Sequence, residues 1–144
     1  MAKSIKPKDN VYIDSTGIVH NRNKLNDILN DLDKLRQSAW TPLTLTQNWG
    51  AFDNNSFNSP CYRIVGNMVC LKGLLKRNDK LASNEVIATL PVEARPPKRL
   101  LMACLCDATT VQRIDIHSTG EIKTPSSVAD SNMISLESIT FFID

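Results

Sequence analysis

The sequence lacks the patterns that mark most metal, nucleic-acid and membrane proteins. Its four cysteines form no CxxC pair, and neither of its two histidines joins them in a metal-ligand spacing. No apolar run approaches the roughly 18 residues of a membrane span, and the first ten residues lack the apolar core of a signal peptide. Acidic and basic residues are mixed, with a net charge of +2. We therefore expect no metal or other cofactor, no nucleic-acid partner, no membrane insertion, and folding in a cytoplasm.

Catalytic signatures are equally scarce. No spacing brings two carboxylates onto one element as a glycosidase pair would require, because the glutamates of the β-type region are scattered: Glu85, Glu93, Glu121 and Glu137. No glycine-rich phosphate loop and no nucleophile motif is present. We expect that the protein is not an enzyme.

The clearest feature that is present lies at Tyr62 to Leu75, which reads YRIVGNMVCLKGLL. Two runs rich in β-branched and apolar residues flank Gly66-Asn67. Glycine at the first turn position supplies the positive φ of a type II′ turn. The stretch therefore predicts a β-hairpin around which later strands pair or pack.

Residues 42–144 carry short β-type segments separated by loops rich in proline, serine and asparagine. This pattern predicts an antiparallel β-sandwich or jelly-roll head domain. Leu43 to Thr46 alternates as a strand would. Arg99 to Cys106 is nearly continuous apolar sequence, which predicts a strand buried on both faces. Within it, Cys104 and Cys106 are expected to be small buried side chains rather than ligands or disulfides.

The first 41 residues differ in pattern. Residues 1–22 contain two short β-type runs around Ser15-Thr16-Gly17, which predict a hairpin. Residues 23–41 predict a short helix with Asn23 as its N-cap and Trp40 packing at its junction with the head. Four apolar side chains spaced three and four apart form its seam: Leu25, Ile28, Leu32 and Leu35. The seam packs either on the chain's own sheet or on copies of itself as a short coiled coil, and a helix between a hairpin and a separate β domain favours the second.

Several stretches resemble the small receptor-binding and baseplate proteins of tailed phages that infect Gram-positive bacteria. YIDSTGIVHNRNKLNDILNDL is similar to the adaptor segments near the termini of such tail proteins. The head resembles theirs through TPLTLTQNWGAF, CYRIVGNMVCLKGLL, IATLPVEARPPKRLLMACLCD, VQRIDIHSTGEIKT and ISLESITFFI. In such heads a strand ending in LP, a proline-rich crossover, a core strand, a short hairpin and a final strand recur in this order.

The resemblance implies a fold and a function. It implies a homotrimer whose N-terminal hairpin attaches to other tail or virion proteins, whose helices form a stalk, and whose heads bind saccharides of the host cell wall. The expected location is the virion, in its tail or another surface appendage. The alternative is a structural fibre or decoration protein of the virion with no receptor-binding role.

Saccharide sites combine aromatic faces with a few fixed polar groups. One loop offers both kinds of side chain: Trp49, Phe52, Asp53, Asn54 and Phe57. The same aromatics would equally close one end of the sandwich. A second set, Arg113, Asp115 and His117, shares one side of a strand. It is expected to form either a solvated polar face or a ligand or interface site.

Overall fold

The structure is a computed structural model that describes residues 11–13, 15–17, 19–34, 37–53 and 55–144. The chain divides into two compact units, residues 1–36 and residues 37–144. The sequence predicts boundaries after residues 22 and 41, which differ from the boundary between these compact units. The roles assigned to the three predicted parts of the chain stay predictions.

The first unit contains two short strands and a helix. Strand β1 (Val11–Ile13) pairs antiparallel with β2 (Val19–Asn21), and helix α1 (Arg22–Lys34) follows directly. The side chain of Asn21 accepts a hydrogen bond from the N–H of Lys24 at 3.1 Å. The helix is therefore capped by Asn21 and not by the predicted Asn23, which lies inside the first turn.

The apolar residues of α1 are exposed within the single chain. Leu25, Ile28 and Leu32 of the predicted seam are 47–57% exposed, and Leu29 beside them is 58% exposed. Leu35, the fourth predicted seam residue, lies outside the described residues.

The second unit, called the head below, contains strands and, among the residues that the structure describes, one 3-10 turn at Val92–Ala94. Its strands are β3 (Thr41–Pro42), β4 (Trp49–Ala51), β5 (Cys61–Val65), β6 (Met68–Lys72), β7 (Leu74–Arg77), β8 (Val86–Thr89), β9 (Leu100–Leu105), β10 (Val111–Ile116), β11 (Glu121–Lys123), β12 (Met133–Ser135) and β13 (Thr140–Phe142). They form three antiparallel sheets, ordered β8-β11-β10-β9, β12-β7-β4 and β13-β6-β5-β3. The protein is thus mainly β with one short helix, and the head fits the predicted β-sandwich.

The core of the head is formed by side chains from all three sheets. Val69 of β6, Leu75 of β7 and Ile114 of β10 are completely buried in one cluster. Aliphatic side chains at alternating positions supply most of this cluster because successive residues of a strand point to opposite faces.

The central hairpin is confirmed. Strands β5 and β6 pair in the register Val65 with Met68, leaving Gly66-Asn67 as the turn. Gly66 has a φ of 61°, a conformation in which a side chain would be strained. The sequence therefore has glycine at the turn position where a positive φ is needed.

Two strand predictions need correction. Residues 43–46 do not form a strand in the described part of the chain, and their ladder is a single bridge between Leu45 and Ala88. Strand β9 is not buried on both faces: Leu101 and Leu105 point outward and are more than half exposed, whereas Cys104 is buried. Val111, opposite Leu105 on the neighbouring strand β10, is 59% exposed as well, so this face of the sheet is open to solvent in the single chain.

The cysteine prediction agrees with the structure. All four cysteines are free thiols, and Cys104 and Cys106 are buried. Burial raises the pKa of Cys104 to about 12 and that of Cys106 to about 11. Both therefore stay protonated and behave as small apolar side chains.

Candidate functional site

The loop that follows β4 is fixed to the sheet by its backbone. The N–H of Phe52 donates to the carbonyl of Leu74 at 2.9 Å, and the N–H of Leu74 donates to the carbonyl of Asn58 at 3.3 Å. Inside the loop, the N–H of Phe57 donates to the carbonyl of Asp53 at 3.1 Å. The loop is therefore a defined turn with both of its ends attached to the start of β7.

Gly73 allows the end of this loop to approach β7 closely. It has a φ of 115°, and a Cβ atom there would lie 2.5 Å from the Cα of Pro60. Its N–H donates to the carboxylate of Glu137 at 3.1 Å, and the Asn58 side-chain amide donates to the same oxygen at 2.9 Å. One carboxylate thus joins the loop, the start of β7 and the turn after β12.

Two of the predicted aromatics present their rings to solvent here. Phe52 and Phe57 meet edge to face with ring centroids 5.5 Å apart, and Phe57 is 47% exposed. The ammonium of Lys76 lies 5.7 Å from the centroid of the Phe52 ring. The edge-to-face contact holds Phe57 in place while leaving part of its surface free.

Asp53 helps to shape the loop. Its carboxylate accepts the N–H of Asn55 at 2.9 Å, and this bond, together with a hydrogen bond from the Ser56 hydroxyl, lowers the pKa of Asp53. The carboxylate is therefore ionised at neutral pH and closes a short Asx turn. Asn54, the remaining predicted residue of this loop, lies outside the described residues.

Trp49 does not join the exposed ring pair. It is buried, and its indole N–H donates to Glu85 at 3.2 Å. Arg77 and the Asn48 amide also donate to this carboxylate, with the shortest distance 2.7 Å from the Nε of Arg77. Trp49 therefore fits the alternative interpretation of this loop, in which an aromatic side chain closes one end of the sandwich.

The environment of Glu85 decides its charge. Burial acts to raise its pKa, but the hydrogen bonds from Arg77, Asn48 and Trp49 and the positive charge of Arg77 outweigh this effect and lower it. Glu85 is therefore an ionised structural anchor that joins β7, β8 and the turn before β4.

A groove of about 380 Å³ lies beside Phe57. Its walls are mainly apolar, and polar groups stand at its rim. The lining residues are Phe57, Leu74, Leu105, Cys106, Asp107, Ala108, Met133, Ser135 and Glu137. Sequence reasoning predicted only Phe57 among these as a site residue, because the others come from three separate segments and no local pattern connects them.

The second predicted set does not form the solvated polar row that the alternation suggested. Asp115 is only 1% exposed, although it lies on the outer side of β10, because arginine side chains cover it. Arg99 donates a short hydrogen bond to Asp115, and the Nε of Arg113 lies 3.0 Å from its other oxygen. His117 lies beyond the end of the strand, where its N–H and carbonyl close the turn to β11. The set is thus split into an ion cluster and a turn residue.

Arg113 also lines an open depression of about 440 Å³ beside residues 125–129. The buried amide of Gln112 fixes this segment by accepting the N–H of Ala129 at 2.6 Å. The depression is shallow and carries none of the predicted aromatics, so the groove beside Phe57 is the better candidate.

Trp40 is half-buried, and its ring faces two cations, the guanidinium of Arg63 at 4.5 Å and the ammonium of Lys72 at 4.2 Å. These contacts account for its position through cation–π attraction. Among the described residues no three His, Cys, Asp or Glu side chains gather as a metal site. In the same residues no helix is long and apolar enough to cross a membrane.

Neither a protein-family model nor a curated protein matches this sequence. Among solved structures, the chain is similar to the receptor binding protein (gp15) of Listeria phage PSA, with a TM-score of 0.62 and 16% sequence identity. The match covers 99% of this chain and 89% of that chain. At this identity the likeness establishes that the two proteins share a fold over nearly their whole lengths.

Proposed function

We propose that this protein is a receptor-binding protein of a phage tail or baseplate. The observation that carries the proposal is the fold shared with the phage PSA receptor binding protein over 99% of this chain. Sequence stretches in both units that resemble phage tail proteins support it independently of the fold. The place of action is then the virion, in its tail or another surface appendage, after assembly in the host cytoplasm.

The ligand we propose is a saccharide of the host cell wall, bound in the groove beside Phe57. A sugar ring has an apolar C–H face, which suits an exposed aromatic ring, and hydroxyl groups, which suit carboxylates and hydroxyls at a rim. In the groove, Phe57 would contact the apolar face of the sugar, and Asp107, Ser135 and Glu137 would bind its hydroxyl groups. Leu74, Leu105 and Met133 add further apolar surface to the groove.

The proposed action is binding without turnover. A glycosidase needs a carboxylic acid that is protonated at working pH. Hydrogen bonds from the backbone N–H of Thr109 and from Thr110 lower the pKa of Asp107, so this carboxylate has no proton to give. Glu137 is engaged by Gly73 and Asn58. Both groups are placed to accept hydrogen bonds from a ligand rather than to cleave it.

We further propose a homotrimer in which the N-terminal hairpin contacts other virion proteins and the helices associate through their seam. The exposed side chains of Leu25, Ile28 and Leu32 support this arrangement, since apolar residues at three- and four-residue spacing pack well on copies of the same helix. The hairpin of three-residue strands is too small to be stable alone and needs a surface to dock on.

The first test is binding of the purified protein to whole Gram-positive cells and to their wall polysaccharide. The mass of the protein in solution and any release of reducing sugar are measured on the same sample. Saturable binding by a trimer without sugar release is the expected result. A protein that binds no cell wall across a broad host panel would refute the receptor-binding role and leave the structural virion protein.

A matched pair of variants locates the site. Phe57→Ala removes the exposed ring of the groove, whereas Phe142→Ala removes a 60% exposed phenylalanine on β13. Since one sugar–aromatic contact contributes about 1.4 kcal/mol, we expect Phe57→Ala to weaken polysaccharide binding roughly tenfold. Phe142→Ala is expected to leave binding unchanged. Equal losses from both variants would place the site elsewhere.

A further inference from the structure

The head has a second groove, formed by residues around strand β3, by one residue of β5, and by the end of β8 with the 3-10 turn that follows it. Its volume is about 390 Å³, within the roughly 300–1,000 Å³ of most small-ligand pockets. The lining residues, together called the Arg95 groove below, are Thr41, Pro42, Thr44, Tyr62, Thr89, Leu90, Pro91 and Arg95. None of these described residues carries a carboxylate, and none of them lines the groove beside Phe57.

The guanidinium of Arg95 is held in place. Its Nε donates a hydrogen bond to the carbonyl of Leu90 at 3.1 Å. Gly120 makes room for it, because a Cβ atom at Gly120 would lie 2.7 Å from the same Nε. A guanidinium carries several further N–H donors that this bond does not use. In the part of the chain that the structure describes, Arg95 forms no ion pair, so its terminal amino groups are oriented without a carboxylate to bind.

Other arginines of the head bind carboxylates of their own chain. Arg77 binds Glu85 at 2.7 Å, and Arg113 binds Asp115 at 3.0 Å. Arg95 is half-buried, which removes part of its hydration without supplying such a counter-ion. Since a planar guanidinium matches a carboxylate or a phosphate through parallel hydrogen bonds, an arginine in this position is suited to an anionic ligand.

The walls of the Arg95 groove are suited to a sugar ring. Tyr62 is partly buried and packs against the core of the head, so its ring is fixed where it lines the groove. Pro42 and Pro91 add rigid apolar surface, and the side chains of Thr44 and Thr89 are exposed hydroxyl groups. An aromatic ring beside hydroxyl groups can contact the apolar face of a sugar and bind its hydroxyls at the same time.

The surroundings of the groove are positively charged. The ring of Trp40, one residue before β3, faces the guanidinium of Arg63 at 4.5 Å and the ammonium of Lys72 at 4.2 Å. On the acidic side, Glu93 lies on the 3-10 turn and Glu121 is paired with the last residue of β8. With the arginine of the groove, three cations and two carboxylates leave a charge of about +1, which favours anionic ligands.

We propose that the Arg95 groove binds a saccharide that carries a negative charge, either a carboxylate or a phosphate group. Arg95 pairs with the charge, the ring of Tyr62 contacts the apolar face of the sugar, and Thr44 and Thr89 bind its hydroxyl groups. The inference rests on the proposed receptor-binding function for the source of this ligand, an acidic polymer of the host wall. It adds a second site with a different preference to the groove beside Phe57.

The test is a titration of the full chain with glucuronic acid, glucose 6-phosphate and uncharged glucose. Dissociation constants are measured from the shifts of backbone amide signals in NMR spectra. Arg95→Gln removes the charge, and because a glutamine amide nitrogen stands as many bonds from its Cα as the arginine Nε, it can keep the hydrogen bond to Leu90. The matched control is Lys98→Gln, which removes one charge from an exposed residue of the same segment that does not line the groove.

We expect an acidic probe to bind at least about tenfold more tightly than glucose and to lose about tenfold in Arg95→Gln, because a hydrogen bond between charged groups is among the stronger ones. Lys98→Gln should change the dissociation constant less than about twofold. Binding of one acidic probe alone supports the inference and identifies the charge as carboxylate or phosphate. Equal binding of all three probes, or equal losses from the two variants, overturns it.

A second pair of variants does not depend on Arg95. Thr44→Glu places a negative charge at an exposed position of the groove, and Thr44→Gln places a side chain of the same size without the charge. We expect Thr44→Glu to bind acidic probes about fivefold more weakly than Thr44→Gln, with no such difference for glucose, because like charges repel. Equal binding of acidic probes by these two variants contradicts an anion in this groove.

The same samples separate this inference from the proposed function. A protein that binds wall polysaccharide but neither acidic probe overturns the inference and retains the receptor-binding role. A protein that binds an acidic probe through Arg95 but no wall polysaccharide retains the site and refutes that role.

Discussion

The helix and the head show two different ways in which apolar residues are used. In the head, Leu75, Ile114 and Ile134 are completely buried by neighbouring strands of the same chain. In the helix, Leu25, Ile28 and Leu32 are equally apolar, yet about half of each side chain is exposed. The head completes its own core, whereas the helix presents a surface that remains to be covered.

This difference teaches that apolar periodicity predicts a face but does not identify what covers it. The head has enough chain to enclose a core by itself. A helix of 13 residues is marginal alone and depends on packing for its stability. Its stability should therefore depend on protein concentration, and that of the head should not.

The largest expected effect is in the core of the head. Leu75 lies on the central strand of its sheet between β12 and β4, and it is fully buried. Leu75→Ala removes packed methyl groups and should lower the free energy of unfolding by about 2–5 kcal/mol. Chemical denaturation at several protein concentrations measures this loss. The free energy of unfolding lost through Leu75→Ala should be the same at each protein concentration, whereas the free energy lost through Leu32→Ala should grow with concentration. The reverse pattern would contradict the contrast between head and helix.

The next effect concerns the helix. Ile28→Asp and Leu32→Asp together place two charges in the seam and should raise the dissociation constant of the proposed homotrimer at least about a hundredfold, or about 2.7 kcal/mol. Circular dichroism should still show a β-rich head with its normal melting temperature. Sedimentation of the Asp33→Ala variant provides the control, because Asp33 lies off the seam. An unchanged oligomer would mean that the seam plays no part in the association.

A smaller effect is expected at Glu85. Glu85→Gln removes the charge that Arg77 faces and should cost about 1–3 kcal/mol at neutral pH. Because the pKa of Glu85 is lowered in the fold, its contribution is complete above its unfolded pKa near 4.3 and is lost as the pH falls through the lower folded value. Denaturation at pH 7 and below pH 4 should show the gap between wild type and variant shrinking. A gap independent of pH would contradict the ionised anchor.

The smallest effect is expected from a reducing agent. The four cysteines are free, and burial keeps Cys104 and Cys106 protonated. Adding a reductant should therefore leave the melting temperature unchanged in a thermal scan. A clear fall would reveal a disulfide that stabilises the protein.

Several features were determined by the sequence alone because each depends on neighbouring residues. Gly66-Asn67 fixed the turn of the central hairpin, since glycine accepts the positive φ that the turn needs. Alternation and turn residues indicated an antiparallel β head. The three- and four-residue spacing of leucines and isoleucine indicated the helix and its apolar face.

Other features were decided by the tertiary structure because they depend on segments far apart in the chain. Trp49 and Phe57 lie eight residues apart in one polar stretch, yet only the structure separates a buried anchor on Glu85 from an exposed ring. The groove is assembled from several separate segments, and only the fold leaves Leu101 and Leu105 of β9 exposed while Cys104 between them is buried. Local sequence determines which side chains of a strand share a face. Whether that face is buried depends on the distant segments that the fold packs against it.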